Sequence, residues 1–188
     1  MARPLTSVPD GDDLADLSFR RPRGDDHPRV VKVIDDWWGG RRMHPMLPRL
    51  WLEHFSGTSW IVERPDGRLA GFVIAFLSQD DPGTGYVHMI AAEPNRRRRG
   101  LGRALYDRAF VDLAERGARR VLAVTWPGNP GSVAFHRAMG FRIEESPGSQ
   151  RLYGTPAVAD YDGPGEDRVL FIRELDGPPP GTDRKRAV

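Results

Sequence analysis

The sequence predicts an α/β domain of the mixed α+β kind, and three observations predict it. Short apolar runs alternate along the chain with stretches whose apolar residues recur at helical spacing. One such run, Tyr86 to Ala92, leads into a Gly-rich turn that opens a helix. Glycines also stand where helices must stop, at Gly39-Gly40, Gly117 and Gly140.

The elements follow in order. Residues 1–13 are rich in Pro, Gly and Asp without apolar period, which predicts a disordered segment. Leu14 to Arg20 alternates enough for a first strand. Asp25 or Asp26 can cap a helix with Pro28 in its first turn, running through Val30, Val31, Val33, Ile34 and Trp37 to Gly39-Gly40. A second short helix spans Leu47 to Phe55, where Leu47, Leu50, Trp51 and Phe55 share a face. Ser59 to Arg64, the Asp66-Gly67 turn and Arg68 to Ser78 read as a hairpin. Tyr86 to Ala92 is the third strand, and Leu101 to Arg116 the helix after the Gly turn. Strand Arg120 to Trp126, helix Ser132 to Met139, and strands Phe141 to Glu145 and Arg168 to Glu174 complete the domain over residues 14–175. Residues 146–165 read as a long loop, of the kind that lies over a site. The tail, residues 176–188, is Pro-rich and charged and reads as disordered.

Composition narrows the function. At 188 residues the chain suits one domain with a real core. Its 28 basic and 26 acidic residues nearly cancel, unlike a dedicated nucleic-acid binder. The absence of cysteine excludes disulfides, a thiol nucleophile and thiolate metal sites. The five histidines show no His-x-x-x-His spacing, so no metal is expected. The start lacks the pattern of a signal peptide. No apolar run approaches the ~20 residues that span a bilayer. A cytoplasmic domain that binds neither membrane nor nucleic acid is the expectation.

The chemistry is concentrated in Asn95-Arg96-Arg97-Arg98-Arg99-Gly100-Leu101-Gly102. A helix N-terminus has unsatisfied N–H groups and the positive end of a dipole, so it draws anions. Gly100 and Gly102 allow close backbone approach, as a pyrophosphate cradle requires. Two other readings stand beside it, a basic patch for nucleic acid and a solvated Arg-rich loop. Lys32 and Lys185 are the only lysines, so the remaining 26 of 28 basic residues are arginine and clusters of it are less surprising.

On these residues the chain resembles the GNAT superfamily of acetyl-CoA-dependent N-acetyltransferases. The resemblance rests on Ala92-Glu93-Pro94 with Arg97-x-x-Gly100-x-Gly102, and on Asn129 through Ala134-Phe135-His136 to Gly140-Phe141. It implies a three-layer fold with helices on both faces of a central twisted mixed sheet, split between two parallel strands. It implies acetyl-CoA as co-substrate. The pantetheine arm pairs with Met89, Ile90 and Ala91, and the pyrophosphate lies on the N–H groups of Arg97, Arg98, Arg99, Gly100, Leu101, Gly102 and Arg103. Asn129 and His136 reach the cofactor from the other side. A primary amine of a small molecule or peptide is the expected acceptor, attacking the thioester directly in a ternary complex. Family members are commonly dimers, so a homodimer stands among the expected partners.

His136 departs from the family's usual Tyr, which donates to the departing thiolate. It is either an imidazole donor or a packed helix residue, with Tyr153 and Tyr161 as substitutes. His88, on the face of its strand with Tyr86 and Ile90, is either the base for the amine or a structural histidine. Acceptor contacts are expected from Asp35 to His44. Asp35 and Asp36 offer charge for an ammonium, Trp37 or Trp38 a stacking wall, and Arg41 and Arg42 a carboxylate site, with His44 closing the segment. Each of these could equally be core or solvated. A non-catalytic acyl-CoA-binding or sensing module is the alternative to an enzyme.

Overall fold

The computed structural model describes residues 14–175. In chain order the elements are β1 (Ser18–Arg20), α1 (His27–Trp37), α2 (Leu50–His54), β2 (Trp60–Glu63), β3 (Leu69–Leu77), β4 (Thr84–Ala92), α3 (Leu101–Glu115), β5 (Arg120–Thr125), α4 (Pro130–Ala138), β6 (Arg142–Ile143), β7 (Ser149–Leu152), β8 (Thr155–Val158) and β9 (Val169–Glu174). The fold is mixed α/β, mostly antiparallel with one parallel pair, as the sequence predicts. The disorder expected of residues 1–13 and 176–188 lies outside the described residues.

The chain divides into two compact units. One is built from the chain through Phe76 together with His88–Ala109, the other from Leu77–Val87 together with the chain from Phe110 onward.

In the first unit β1 pairs antiparallel with β2, and β2 with β3, with a register shift between Val62 and Glu63. The end of β4 lies next in strand order. Val30, Ile34 and Trp37 of α1 share a buried stripe, as apolar residues at helical spacing must. They pack with Ile61, Phe72, Ile74, Met89 and Ala91 into one core cluster. Trp37 stacks on Phe72, ring centroids 6.1 Å apart at 18°. At the edge of this unit Arg20 bridges Asp26 at 2.6 Å and Glu63 at 2.8 Å, and Arg29 joins the same two carboxylates at 3.1 and 2.7 Å.

In the second unit the first half of β4 pairs parallel with β5, from Thr84–Arg120 to Val87–Ala123. β5 then pairs antiparallel with β9 along its length, and β9 with β6. Phe110, Phe141 and Phe171 form an aromatic core, with the Arg173 guanidinium 4.3 Å from the Phe110 ring.

Three expectations are corrected. The first strand is only Ser18–Arg20, because Leu14 and Leu17 close a turn by a 3.0 Å hydrogen bond. The second helix is only Leu50–His54: Pro48 removes a donor, and His44–Met46 forms a separate 3-10 turn. The long loop contains the β7–β8 hairpin, with Tyr153 and Gly154 at φ 48° and 78° in a two-residue turn. Its strands alternate too weakly in hydrophobicity to announce themselves.

Candidate active site

β4 sets the geometry. Its side chains alternate, so Val87, Met89 and Ala91 are buried while Tyr86, His88 and Ile90 are half-buried on the other face. Met89 and Ala91 belong to the core cluster, so anything lying along this strand meets their backbone and not their side chains.

His88 Nε2 lies 2.8 Å from the Met46 carbonyl. A carbonyl only accepts, so Nε2 carries the proton and Nδ1 presents a lone pair. The ring lies on Trp51, centroids 4.2 Å apart at 14°. Burial lowers its pKa below the ordinary value against the opposing pull of the Met46 bond, so the imidazole is neutral near pH 7. Trp51 also touches Phe55 at 4.6 Å and Phe76 at 5.5 Å. The spacing of Trp51 and Phe55 signalled a shared helix face, but not that His88 would complete the cluster.

β4 ends at Ala92, a 3-10 turn covers Pro94–Arg96, and α3 starts at Leu101. Between them Arg98 and Gly100 take left-handed conformations, φ 62° and 86°. Glycine adopts this readily, whereas Arg98 does so at a cost. Gly100 accepts the Ala104 N–H at 3.0 Å, the first bond of the helix, so the N–H groups of Gly100, Leu101 and Gly102 precede the intrahelical ladder. A Cβ built on Gly100 meets only Leu14, at 3.8 Å. Arg98, Arg99 and Arg103 are exposed. Open N–H groups, a helix dipole and exposed guanidinium groups suit a pyrophosphate. Arg97 is different. Its Nε donates to the Ala92 carbonyl at 3.3 Å and its Nη2 to the Trp37 carbonyl.

The expected acceptor segment, residues 35–44, is organised by its first residue, Asp35, in a role the sequence did not suggest. Asp35 Oδ1 accepts from the backbone N–H groups of Met43 at 2.7 Å and His44 at 2.9 Å, and Oδ2 pairs with His44 Nδ1 at 2.7 Å. The His44 hydrogen bond leads the effects that hold the Asp35 carboxyl below its ordinary pKa. Asp36 and Arg41 are exposed, and Trp38 is half-buried with its ring 6.3 Å from Phe72.

In the second unit Asn129 caps α4, its Oδ1 accepting from Ser132 N–H at 3.0 Å. His136 is 5% exposed. Its Nδ1 donates to the Ser132 carbonyl one turn back at 2.8 Å, and its ring stacks on Phe171, centroids 4.6 Å apart at 8°. Burial lowers its pKa, with the Ser132 bond opposing. The proton of the neutral ring is thus committed to a carbonyl, which suits a packed residue better than a donor. Tyr153 is 70% exposed and meets Trp126 edge-on at 5.4 Å. Tyr161, 47% exposed, sits in a turn braced by Arg168, which pairs with Asp162 at 2.7 Å and Glu166 at 2.8 Å.

The profile of the Acetyltransferase (GNAT) family matches residues 18–141, well over half of the chain. The chain belongs to the GNAT acetyltransferase family. It is 33% identical over 115 residues to the L-2,4-diaminobutyric acid acetyltransferase of Nocardia farcinica, covering 61% of this chain and 59% of that protein. It is 33% identical over 91 residues to the mycothiol acetyltransferase of Thermobifida fusca, covering 45% of this chain and 28% of the relative. The chain thus spans less than two thirds of the length of these relatives. The diaminobutyrate acetyltransferase of Paenibacillus lautus, solved with L-2,4-diaminobutyric acid and coenzyme A, shares the fold at TM-score 0.60 and 23% identity over 85% of this chain and 95% of that one. Ard1 from Thermoplasma volcanium shares it at TM-score 0.68 and 16% identity, covering 86% and 99%. Among the described residues of this GNAT chain no cluster of His, Cys, Asp or Glu could hold a metal ion, and no helix is long and apolar enough to cross a membrane.

Proposed function

We propose that this protein transfers an acetyl group from acetyl-CoA to a primary amine of a small molecule or peptide, residues 14–175 acting as one acetyltransferase domain. The observation that carries the reading is the turn between β4 and α3, where left-handed Arg98 and Gly100 leave the first N–H groups of α3 open beside exposed arginines. Those groups would take the pyrophosphate, and the backbone of Met89, Ile90 and Ala91 the pantetheine arm. The relatives named for diaminobutyric acid and mycothiol support a small polar acceptor.

The amine nitrogen attacks the thioester carbonyl, the C–S bond breaks, and amide and thiol result. His88 Nδ1 takes the amine proton, directly or through one water. A backbone N–H near Ile90 or Ala91 stabilises the oxyanion. Asp36, Trp38, Arg41 and His44 contact the acceptor, and Tyr161, rather than His136, gives the thiolate its proton.

The test is a thermal shift with acetyl-CoA, CoA and a longer acyl-CoA, run beside thiol release over pooled amines. Stabilisation of about 2.7 kcal/mol at a hundredfold excess over Kd, with thiol release, is expected. Stabilisation without release across the panel would mark an acyl-CoA-binding module, and no stabilisation would remove the cradle.

A further inference from the structure

The carbonyls at the end of α1 can be accounted for one by one. Trp38 N–H bonds to the Ile34 carbonyl at 3.2 Å, Gly39 N–H to Asp36 at 3.0 Å, and Gly40 N–H to Asp35 at 2.9 Å. With Gly39 and Gly40 at φ 70° and 84°, this is a Schellman ending. It leaves the carbonyl of Trp37, the last residue of α1, to find a partner elsewhere. That partner is the Arg97 guanidinium, whose Nε holds the end of β4 through the Ala92 carbonyl at 3.3 Å. The Arg97 N–H is also engaged, with the Pro94 carbonyl at 3.3 Å.

We propose that Arg97 is a positioning residue: it mounts the C-terminal end of α1, and the acceptor segment that follows it, on the turn before α3. Phosphate binding is then left to the N–H groups of Gly100, Leu101 and Gly102 and to the other arginines. The proposal rests on the reading of that turn as the acetyl-CoA cradle. Three physical facts make the mount effective. A planar guanidinium bridges two carbonyls with less loss of freedom than a lysine. Its charge lies at the negative end of the α1 dipole. The chain leaves Trp37 directly into residues 38–44, whose far end Asp35 holds through Met43 and His44. Arg97, from the turn before α3, thus fixes one end of the segment, and Asp35, from α1, the other.

The experiment is hydrogen–deuterium exchange on the full chain as wild type, Arg97→Met and Arg97→Lys, with acetyl-CoA affinity measured by calorimetry. Loss of a charge-assisted hydrogen bond predicts that Arg97→Met speeds exchange over residues 38–47 by about tenfold or more, with residues 60–77 unchanged. Arg97→Lys is expected in between, and acetyl-CoA affinity to stay within about threefold of wild type. Unchanged exchange over 38–47 overturns the mount, as does loosening that spreads equally over 60–77. A fall in acetyl-CoA affinity of about tenfold or more, with 38–47 unmoved, makes Arg97 a phosphate ligand instead. If wild type shows neither acetyl-CoA binding nor protection over 98–104, the cradle reading fails. The exchange of 38–47 without ligand still decides whether Arg97 holds the end of α1.

Discussion

His88 and Trp51 lie face to face, 4.2 Å between ring centroids and 14° from parallel, with the histidine's Nε2 proton tied to the Met46 carbonyl. The stack fixes the plane of the imidazole and the hydrogen bond fixes its tautomer, so Nδ1 is the nitrogen able to take a proton.

A base of this kind sets the acidic limb of the rate profile. The active form is neutral, so activity is present above the lowered pKa and lost as pH falls through it. That places the limb below the ordinary histidine value of about 6.5. His88→Gln keeps a donor for Met46 but cannot accept the proton. It is expected to lower kcat by about 10²–10⁴-fold and to abolish the limb. Unaltered kcat and limb would make His88 structural.

Asp35→Ala releases Met43 and His44 together. The expected outcome is a raised KM for the acceptor with acetyl-CoA affinity unchanged, read by steady-state kinetics beside calorimetry. A parallel loss of acetyl-CoA affinity would contradict the assignment of this segment to the acceptor.

His136 contributes to acid sensitivity. Its folded pKa is lowered, so below about pH 6.5 the unfolded chain takes the proton first and stability falls with pH. The slope from this group is at most about 1.4 kcal/mol per pH unit. His136→Phe keeps a ring against Phe171 and is expected to flatten that slope in urea melts between pH 5 and 7.5. Turnover near the wild-type value is expected in the same variant, whereas Tyr161→Phe lowers it.

The Arg20, Asp26, Glu63 and Arg29 cluster acts at lower pH. Burial raises the Asp26 pKa, but the hydrogen bonds from Arg20 and Arg23 with the nearby charges outweigh it, and the net shift is downward. Arg20 leads the lowering of Glu63. Both carboxylates stabilise the fold above their ordinary values near 4 and lose that contribution as pH falls through the lowered ones. Asp26→Asn removes the charge nearest to Arg20 and leaves it one amide oxygen in place of two carboxylate oxygens. A loss of about 2 kcal/mol in denaturant unfolding at pH 7 is expected, below the fully buried range because Arg20 is partly solvated.

Strands and helices with strong periods were legible in the sequence. The β4 alternation, the α1 stripe and the α3 start follow from local pattern, and Gly39-Gly40 marked where α1 stops. The family was legible too, through Arg97, Gly100 and Gly102 with the Asn129 to Phe141 block. The roles of individual side chains were less so. Arg97 reads as a phosphate arginine by its place in the motif, yet its partner, the Trp37 carbonyl, is far away in sequence and carries no side-chain signal. Asp35 and Asp36 are indistinguishable as letters, and only the chain's return at Met43 and His44 separates a clamp from an exposed charge. His136 stands where the resemblance expects a catalytic Tyr, but its ring stacks on Phe171, which no local window contains.

The excursion between β6 and β9 has a consequence for how such a protein diversifies. The chain leaves beside Ile143 and returns beside Phe171, the two paired across the sheet, and Glu144 N–H still bonds the Leu170 carbonyl at 2.8 Å. Its feet are therefore stapled together whatever lies between them. Loop-closure entropy grows only by about 0.6 kcal/mol for each doubling of length. The β7–β8 hairpin and the Arg168-braced turn can be lengthened, trimmed or exchanged as a cassette. The pairing of β9 with β5 and β6 would hold, and Tyr161 would be exchanged with the cassette.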